Sequence, residues 1–366
     1  MRHSPVTRME SVICLRVFSE EESQLKQGFF RGQSPEDAKR RLVIFLVILG
    51  AVLILILCGV VAVLLTGQGR PGGPGSGGIA GSTSGNGPGG SDVSYTLRPQ
   101  NGYINVVDCG ADPSGSGDDT EAFRRAAASG LGIFVPAGEY RLSGTVELNG
   151  QDVVGEGLSL TRVCGTTEAT LFRLTGSCRL TEMTLSYTDG TAGRGEKTAV
   201  RLAGAEGDRA PSVKNVRCTQ VGTAVLLESG AANGVRIEDL TVDAFGYAGI
   251  VFDGAGSRGA NLRSILLQNA ASGAAYGIEL QGDEGTLLEQ ITIKDSRLQQ
   301  GICFSGSLGF RVKAAQFLGV QASALCGGRR SAGSVGSVYR QGSDGDTVAF
   351  EESVGGEIRA EYTAVR

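Results

Sequence analysis

The sequence has no tryptophan, a single histidine (His3) and only 9 prolines in 366 residues. With its one histidine at the third position, the rest of the chain lacks the side chain that most often moves protons or ligates metals near neutral pH. Lysine is scarce as well, 6 residues against 28 arginines, a ratio that codon bias explains as readily as chemistry. There is no basic excess: the formal net charge is −4, so the basic face that nucleic acids require is missing. Glycine is abundant at 58 residues, but it does not recur every third position, which excludes collagen. A hydrophobic content of 41% excludes a disordered chain. Many short turns would account for such a mixture.

One apolar run stands out, LVIFLVILGAVLILILCGVVAVLL, Leu42 to Leu65. Its 24 uncharged residues are enough to cross ~30 Å of hydrocarbon. Lys39, Arg40 and Arg41 precede it, while only Arg70 lies close behind. The positive-inside rule then places the N-terminus in the cytoplasm and the bulk of the chain outside the cell membrane, anchored in lipid through residues 42–65. A cleaved signal peptide would need a shorter leader and a shorter apolar core. Residues 66–91 follow, with 12 glycines in 26 positions, a composition that forms a flexible tether spanning roughly 30 Å. The tail, residues 1–41, carries eight basic and six acidic residues and no motif.

Residues 92–366 contain an internal repeat. The pattern apolar-x-x-apolar-x-apolar fits Leu180/Met183/Leu185, Val213/Val216/Cys218, Ile237/Leu240/Val242, Leu262/Ile265/Leu267, Leu288/Ile291/Ile293 and Val312/Ala315/Phe317. A second track accompanies it: Val200/Leu202, Val225/Leu227, Ile250/Phe252, Ile278/Leu280, Ile302/Phe304 and Val348/Phe350. Successive starts of the first track are 24–26 residues apart, except for one step of 33 between Leu180 and Val213, and Val335/Val338 continues it more weakly after 23. Alternating apolar pairs between glycine-rich corners predict short strands with one buried face. Three of them per repeat predict an all-β fold, a right-handed parallel β-helix of about nine coils, in which like positions stack at ~4.8 Å. Lys214, Glu238, Arg263, Glu289 and Lys313 then form an outward ladder of alternating sign, which fixes register because a slip would set like charges against each other.

An open first coil would be an unpaired sheet edge. The stretch VVDCGADPSGSGDDTEAF, residues 106–123, answers this need. It predicts an opening strand at Asn105-Val-Val, then a capping helix from Thr120 to Ser129 that lays Ala122, Phe123 and Ala126 over the coil. Asp118 caps that helix, with Glu121 as its capping-box partner.

Asp108-Cys-Gly-Ala, Gly117-Asp-Asp-Thr-Glu-Ala-Phe, Phe134-Val-Pro-Ala-Gly-Glu-Tyr-Arg-Leu-Ser-Gly and Val154-Gly-Glu-Gly together resemble the start of pectate-lyase-superfamily β-helices, including rhamnogalacturonase-like and tailspike-like members. The resemblance covers some fifty residues; beyond Gly157 it concerns architecture alone. It implies polysaccharide hydrolysis, β-elimination, or glycan binding without cleavage. The hydrolases of this superfamily place Asn-Thr-Asp, Asp-Asp and Gly-His-Gly strings on successive coils, and those strings are absent here.

A lyase needs clustered carboxylates for calcium and an arginine or lysine as base. Asp243 and Lys294 occupy the same repeat position two coils apart, roughly 10 Å, with Asp295 and Arg297 beside them. Calcium is expected only on that reading; otherwise no cofactor is. For sugar binding, Tyr247 and Tyr276 precede second-track strands in neighbouring coils and could form a platform beside Phe245 and Asp253; the plainer alternative is that they cover a corner. Six cysteines fall in this part, and Cys303 and Cys326, at equivalent positions of adjacent coils, suit a disulfide. The expected protein is thus a single-pass membrane-anchored, surface-displayed β-helix, non-catalytic, binding a cell-surface glycan or an envelope protein, and able to form a homotrimer. The alternative is a tethered lyase of acidic polysaccharide.

Overall fold

Left-handed backbone at regular intervals gives this chain its shape. A computed structural model describes residues 99–204, 210–228, 233–254, 257–295, 297–328, 330–341, 348–350 and 359–360. The tail, the Leu42–Leu65 segment and the 66–91 linker lie outside these residues. Among the described residues no helix is long and apolar enough to cross a membrane.

The named strands pair in parallel from coil to coil, forming one right-handed β-solenoid of about nine coils. Its cross-section has three faces. Face A begins with strands Tyr103–Asn105, Gly132–Val135 and Asp152–Gly155, and face B with Gly138–Leu142 and Thr161–Gly165. Face C stacks Val146–Asn149, Phe172–Thr175, Thr198–Leu202, the ends of Ser212–Leu227 and Arg236–Phe252, then Tyr276–Gln281, Gln300–Ser305 and Ser323–Gly327. The first apolar track stacks in register on face A, from Leu180 through Val213, Ile237, Leu262 and Leu288 to Val312. The second does so on face C, from Val200 through Val225, Ile250 and Ile278 to Ile302. All of these point inward and are buried.

Glycine does not make every corner. The bend between faces A and B falls on the third position of the repeat, at Glu182, Asn215, Asp239, Ser264 and Gln290, whose φ angles are 49–60°. A second left-handed column follows face B at Gln220, Ala244 and Asn269 (φ 56–62°). Non-glycine residues pay about 1–2 kcal/mol for this conformation. Contacts along the columns help to offset it, as when Asn215 Nδ2 donates to Glu182 Oε2 of the previous coil at 2.6 Å.

The charged ladder is in register: Lys214 faces Glu238, Glu238 faces Arg263 and Arg263 faces Glu289. Ion pairs form at Lys214–Glu238 (3.7 Å) and Glu289–Lys313 (3.5 Å). They are solvent-exposed, so they contribute little energy and mainly penalise a slipped register.

The opening segment differs in detail from the sequence expectation. Its strand is Tyr103–Asn105, and Val106–Cys109 is a 3-10 turn, because Asn105 Oδ1 accepts from Val107 N and curls the chain. Helix α1 spans Thr120–Ala128 and buries Ala122, Phe123 and Ala126. Phe123 meets Tyr140 edge-on at 5.7 Å and Phe172 at 6.1 Å. No capping box forms. Asp119 precedes the helix but accepts from the amides of Asp112 (2.7 Å) and Arg141 (2.9 Å), while Glu121 pairs with Arg124 at 2.7 Å. Asp118 instead accepts from the Thr120 amide at 3.0 Å and from Ser143, which joins the helix start to the first coil.

Candidate functional site

On the outer side of face C one column runs Glu147, Arg173, Arg201, Leu226, Val251, Glu279, Cys303, Cys326, each residue opposite the next. Outward positions on a solenoid are normally wet. Yet Leu226, Val251 and Glu279 are only 4%, 0% and 6% exposed, so something covers them.

The cover comes from two places. Tyr247 and Tyr276 pack over Leu226, Ala248 and Val251, their rings edge-to-face at 6.2 Å. The second part is the segment 188–197, which lengthens one repeat to 33 residues. It lies against the coils where side chains are missing: a Cβ on Gly222 would come within 2.1 Å of Glu196 O, and one on Gly246 within 2.1 Å of Ala192 O. That segment delivers Arg194.

These groups converge on Glu279. Tyr247 donates its hydroxyl to Glu279 Oε2 at 2.8 Å, and Gln281 Nε2 donates to Oε1 at 2.5 Å. Arg194 lies 3.9 Å from Glu279 Oε1, bonds Asp253 Oδ1 at 2.9 Å and sits 5.4 Å over the Tyr247 ring. Burial raises the Tyr247 pKa and the Glu279 bond raises it further, so the phenol stays a donor across the physiological range. Burial opposes the charge on Arg194, but Glu279, Tyr247 and Asp253 outweigh it and its pKa is raised. The result is a half-covered polar cluster with an aromatic wall at Tyr276 and an exposed Arg194–Asp253 rim. It presents donors, acceptors and a ring face together, which is the equipment for holding a hydroxyl-rich ligand.

Tyr247, Tyr276 and Asp253, expected together as a platform, lie close to one another: the two rings meet edge-to-face and Arg194 links Tyr247 to Asp253. Phe245, expected beside them, is fully buried in the core. Sequence reasoning missed Arg194 and Glu279. The 33-residue step was the visible signal for the first, and a charge between Val251 and Cys303 in the same column was the signal for the second.

Asp243 and Lys294 share a column with Gln268 between them. Asp243 accepts from Asn269 Nδ2 at 2.6 Å. Asp295 is buried and accepts from the amides of Ala270 and Arg297, the latter at 2.7 Å, so its oxygens hold a corner together; the Arg297 guanidinium is 3.7 Å away. Among the described residues no group of three or more His, Cys, Asp or Glu converges as metal ligands. Cys303 and Cys326 sit directly opposite each other as unbridged thiols.

A second concavity, absent from the sequence reading, is a groove of about 850 Å³ lined by Tyr103, Asp152, Arg179, Lys214, Arg236 and Glu238. It follows face A across several coils, and Arg236 is exposed in it.

With this geometry established, the profile of rhamnogalacturonase A/epimerase, pectate lyase-like proteins matches residues 103–302, more than half of the chain. The chain belongs to that family. Among solved structures, this pectate lyase-like chain is similar to the enzymatically active domain of bacteriophage CBA120 tailspike protein 2, with a TM-score of 0.51, 16% identity and coverage of 72% of this chain and 48% of the tailspike. ORF18 of Geobacillus virus E2 is similar at TM-score 0.41 and 13% identity, over 72% of this chain and 61% of that one. The GH87 α-1,3-glucanase catalytic unit of Streptomyces thermodiastaticus follows at TM-score 0.35 and 14% identity, over 75% and 70%. The chain therefore spans less than two thirds of the two viral structures. At these identities the likeness concerns the fold. No curated protein matches the chain in sequence.

Proposed function

We propose that this protein is a glycan-binding module that acts without catalysis, held outside a membrane by residues 42–65 and the 66–91 tether. The binding site is the cluster around Glu279. The observation that carries this reading is convergence: Tyr247, Gln281 and Arg194 surround the buried Glu279 carboxylate, Asp253 pairs with Arg194, and Tyr276 packs edge-on against Tyr247. A sugar stacks on the Tyr276 ring while its hydroxyls exchange hydrogen bonds with Arg194 and Asp253. The family resemblance supports a carbohydrate ligand.

A second reading places an acidic polysaccharide in the face A groove, favoured by Arg179, Lys214 and Arg236. The lyase reading has Asp243 and Lys294 in one column in its favour, but Asp295 is committed to backbone amides.

The test uses the full chain in detergent on a panel of neutral and acidic polysaccharides. Affinity gel electrophoresis reports binding, and absorbance of unsaturated uronate ends reports elimination. Retardation without new absorbance is expected. Elimination that Lys294→Ala abolishes would establish the lyase instead, and binding lost in Arg236→Ala but kept in Tyr276→Ala would move the site to the groove.

A further inference from the structure

The corner leading into face A repeats a short motif in four consecutive coils: Ser257-Arg-Gly, Asp283-Glu-Gly, Ser307-Leu-Gly and Ser331-Ala-Gly. The first residues of these motifs stack on one another. Glu284 N donates to Ser257 O, Leu308 N to Asp283 O and Ala332 N to Ser307 O, each at 2.9 Å. All four are 0–2% exposed. Serine suits the position because a hydroxyl both donates and accepts. Ser307 Oγ donates to Leu280 O at 3.1 Å, and Ser331 Oγ accepts from Ser307 N at 3.4 Å.

Asp283 breaks the series. Both of its carboxylate oxygens are buried without a hydrogen-bond partner, as is the hydroxyl of Thr286 on the same corner. An ionised carboxylate can only accept, and left bare in the interior it is strongly unfavourable. Among the described residues no basic side chain pairs with it; the adjacent Arg258 is exposed and pairs with Glu284 at 2.9 Å. Its neighbours in the stack are Ser257 and Ser307, residues that bear hydroxyl and carbonyl oxygens. A buried carboxylate without a hydrogen-bond donor, next to an unpartnered hydroxyl, is what a hard cation binds.

We propose that Asp283 anchors a buried hard-cation site, with the hydroxyls of Ser257, Ser307 and Thr286 and the carbonyls of the stack as its further oxygen ligands. One carboxylate balances one positive charge, which favours sodium over calcium. The inference is independent of the glycan reading. The ion would be structural, locking the corner between coils that an aspartate in place of serine would otherwise weaken.

The experiment follows thermal unfolding of the full chain by circular dichroism at pH 7, in sodium, calcium or choline chloride at matched ionic strength. It compares the wild type with Asp283→Ser, which restores the residue of the neighbouring coils, and with Asp283→Asn. The wild type is expected to gain a few degrees in sodium or calcium over choline, saturably, and the arm that responds identifies the ion. Asp283→Ser is expected to show no such difference. Equal melting of the wild type in all three salts would overturn the proposal, as would an undiminished response in Asp283→Ser. Insensitivity to salt together with a melting point that falls as pH rises, in the wild type but not in Asp283→Asn, would mean a protonated carboxyl and would overturn it too. If neither variant folds, equilibrium dialysis of the wild type against radioactive sodium or calcium decides, since the absence of a bound ion refutes the site.

Discussion

Tyr247 donates its hydroxyl to Glu279 at 2.8 Å, across one step of the solenoid. Glu279 lies between Ile278 and Leu280, both inward and buried, and its outward column neighbour is the fully buried Val251. A leucine there would extend the apolar column with no polar group to satisfy. A carboxylate there requires the three donors arranged around it, Tyr247, Gln281 and Arg194.

The segment carrying Arg194 depends on two glycines. Gly246→Ala would drive a Cβ to 2.1 Å from the Ala192 carbonyl oxygen, and backbone on both sides leaves no flexible atom to yield. The segment must lift, taking Arg194 away from Glu279. We expect near-unchanged global unfolding but at least tenfold weaker glycan retention, checked by pairing urea titration with affinity electrophoresis.

Phe123 is fully buried between α1, Tyr140 and Phe172. Phe123→Ala removes an aromatic ring from a well-packed site and should cost about 3–5 kcal/mol. Urea unfolding of the full chain measures it; a loss below ~1 kcal/mol would mean that α1 does not seal the first coil.

Burial pushes the Asp118 carboxyl up, but hydrogen bonds from Ser143 and Thr120 outweigh it and hold its pKa at about 2. The folded value lies below the unfolded one of ~3.9, so the stabilisation is fully present above that pH and is lost as pH falls through about 2. The stability difference between wild type and Asp118→Asn should therefore be constant from pH 5 to 7 and shrink below ~4. Unfolding midpoints across that range provide the check.

Cys303 and Cys326 face each other in adjacent coils, a spacing of ~4.8 Å that a disulfide tolerates. Exposure of the folded chain to oxidised glutathione should form the bridge by exchange, releasing two reduced glutathiones and lowering the protein mass by two hydrogens. Closing this loop of 24 positions (303 through 326) would stabilise by about 3 kcal/mol. Mass spectrometry of intact chain and tryptic peptides shows whether it does.

Much of the solenoid was legible because stacking keeps the inward columns apolar from coil to coil. Leu180 to Val312 and Val200 to Ile302 announce themselves by period, and the same alignment places Cys303 against Cys326. The corners were harder to read. Glu182, Asn215, Asp239, Ser264 and Gln290 share a backbone conformation but no side-chain type, so no composition signal marks them. The candidate site was half legible: Tyr247, Tyr276 and Asp253 sit on repeat positions, whereas Arg194 arrives on a segment outside the repeat. The capping box failed for a different reason. Asp119 finds better partners in the amides of Asp112 and Arg141, contacts that exist only after the first coil has closed.

The most direct measurement compares the wild type with Glu279→Leu in two readouts, urea unfolding and retention on whichever polysaccharide the wild type binds. If the cluster exists to hold a glycan, the variant should lose only about 1–3 kcal/mol, the cost of the Tyr247 hydroxyl left without its acceptor, because Arg194 stays paired with Asp253; its retention should disappear. A variant that unfolds readily but, while folded, still binds as the wild type does would contradict this, and would make Glu279 a strut of the coil.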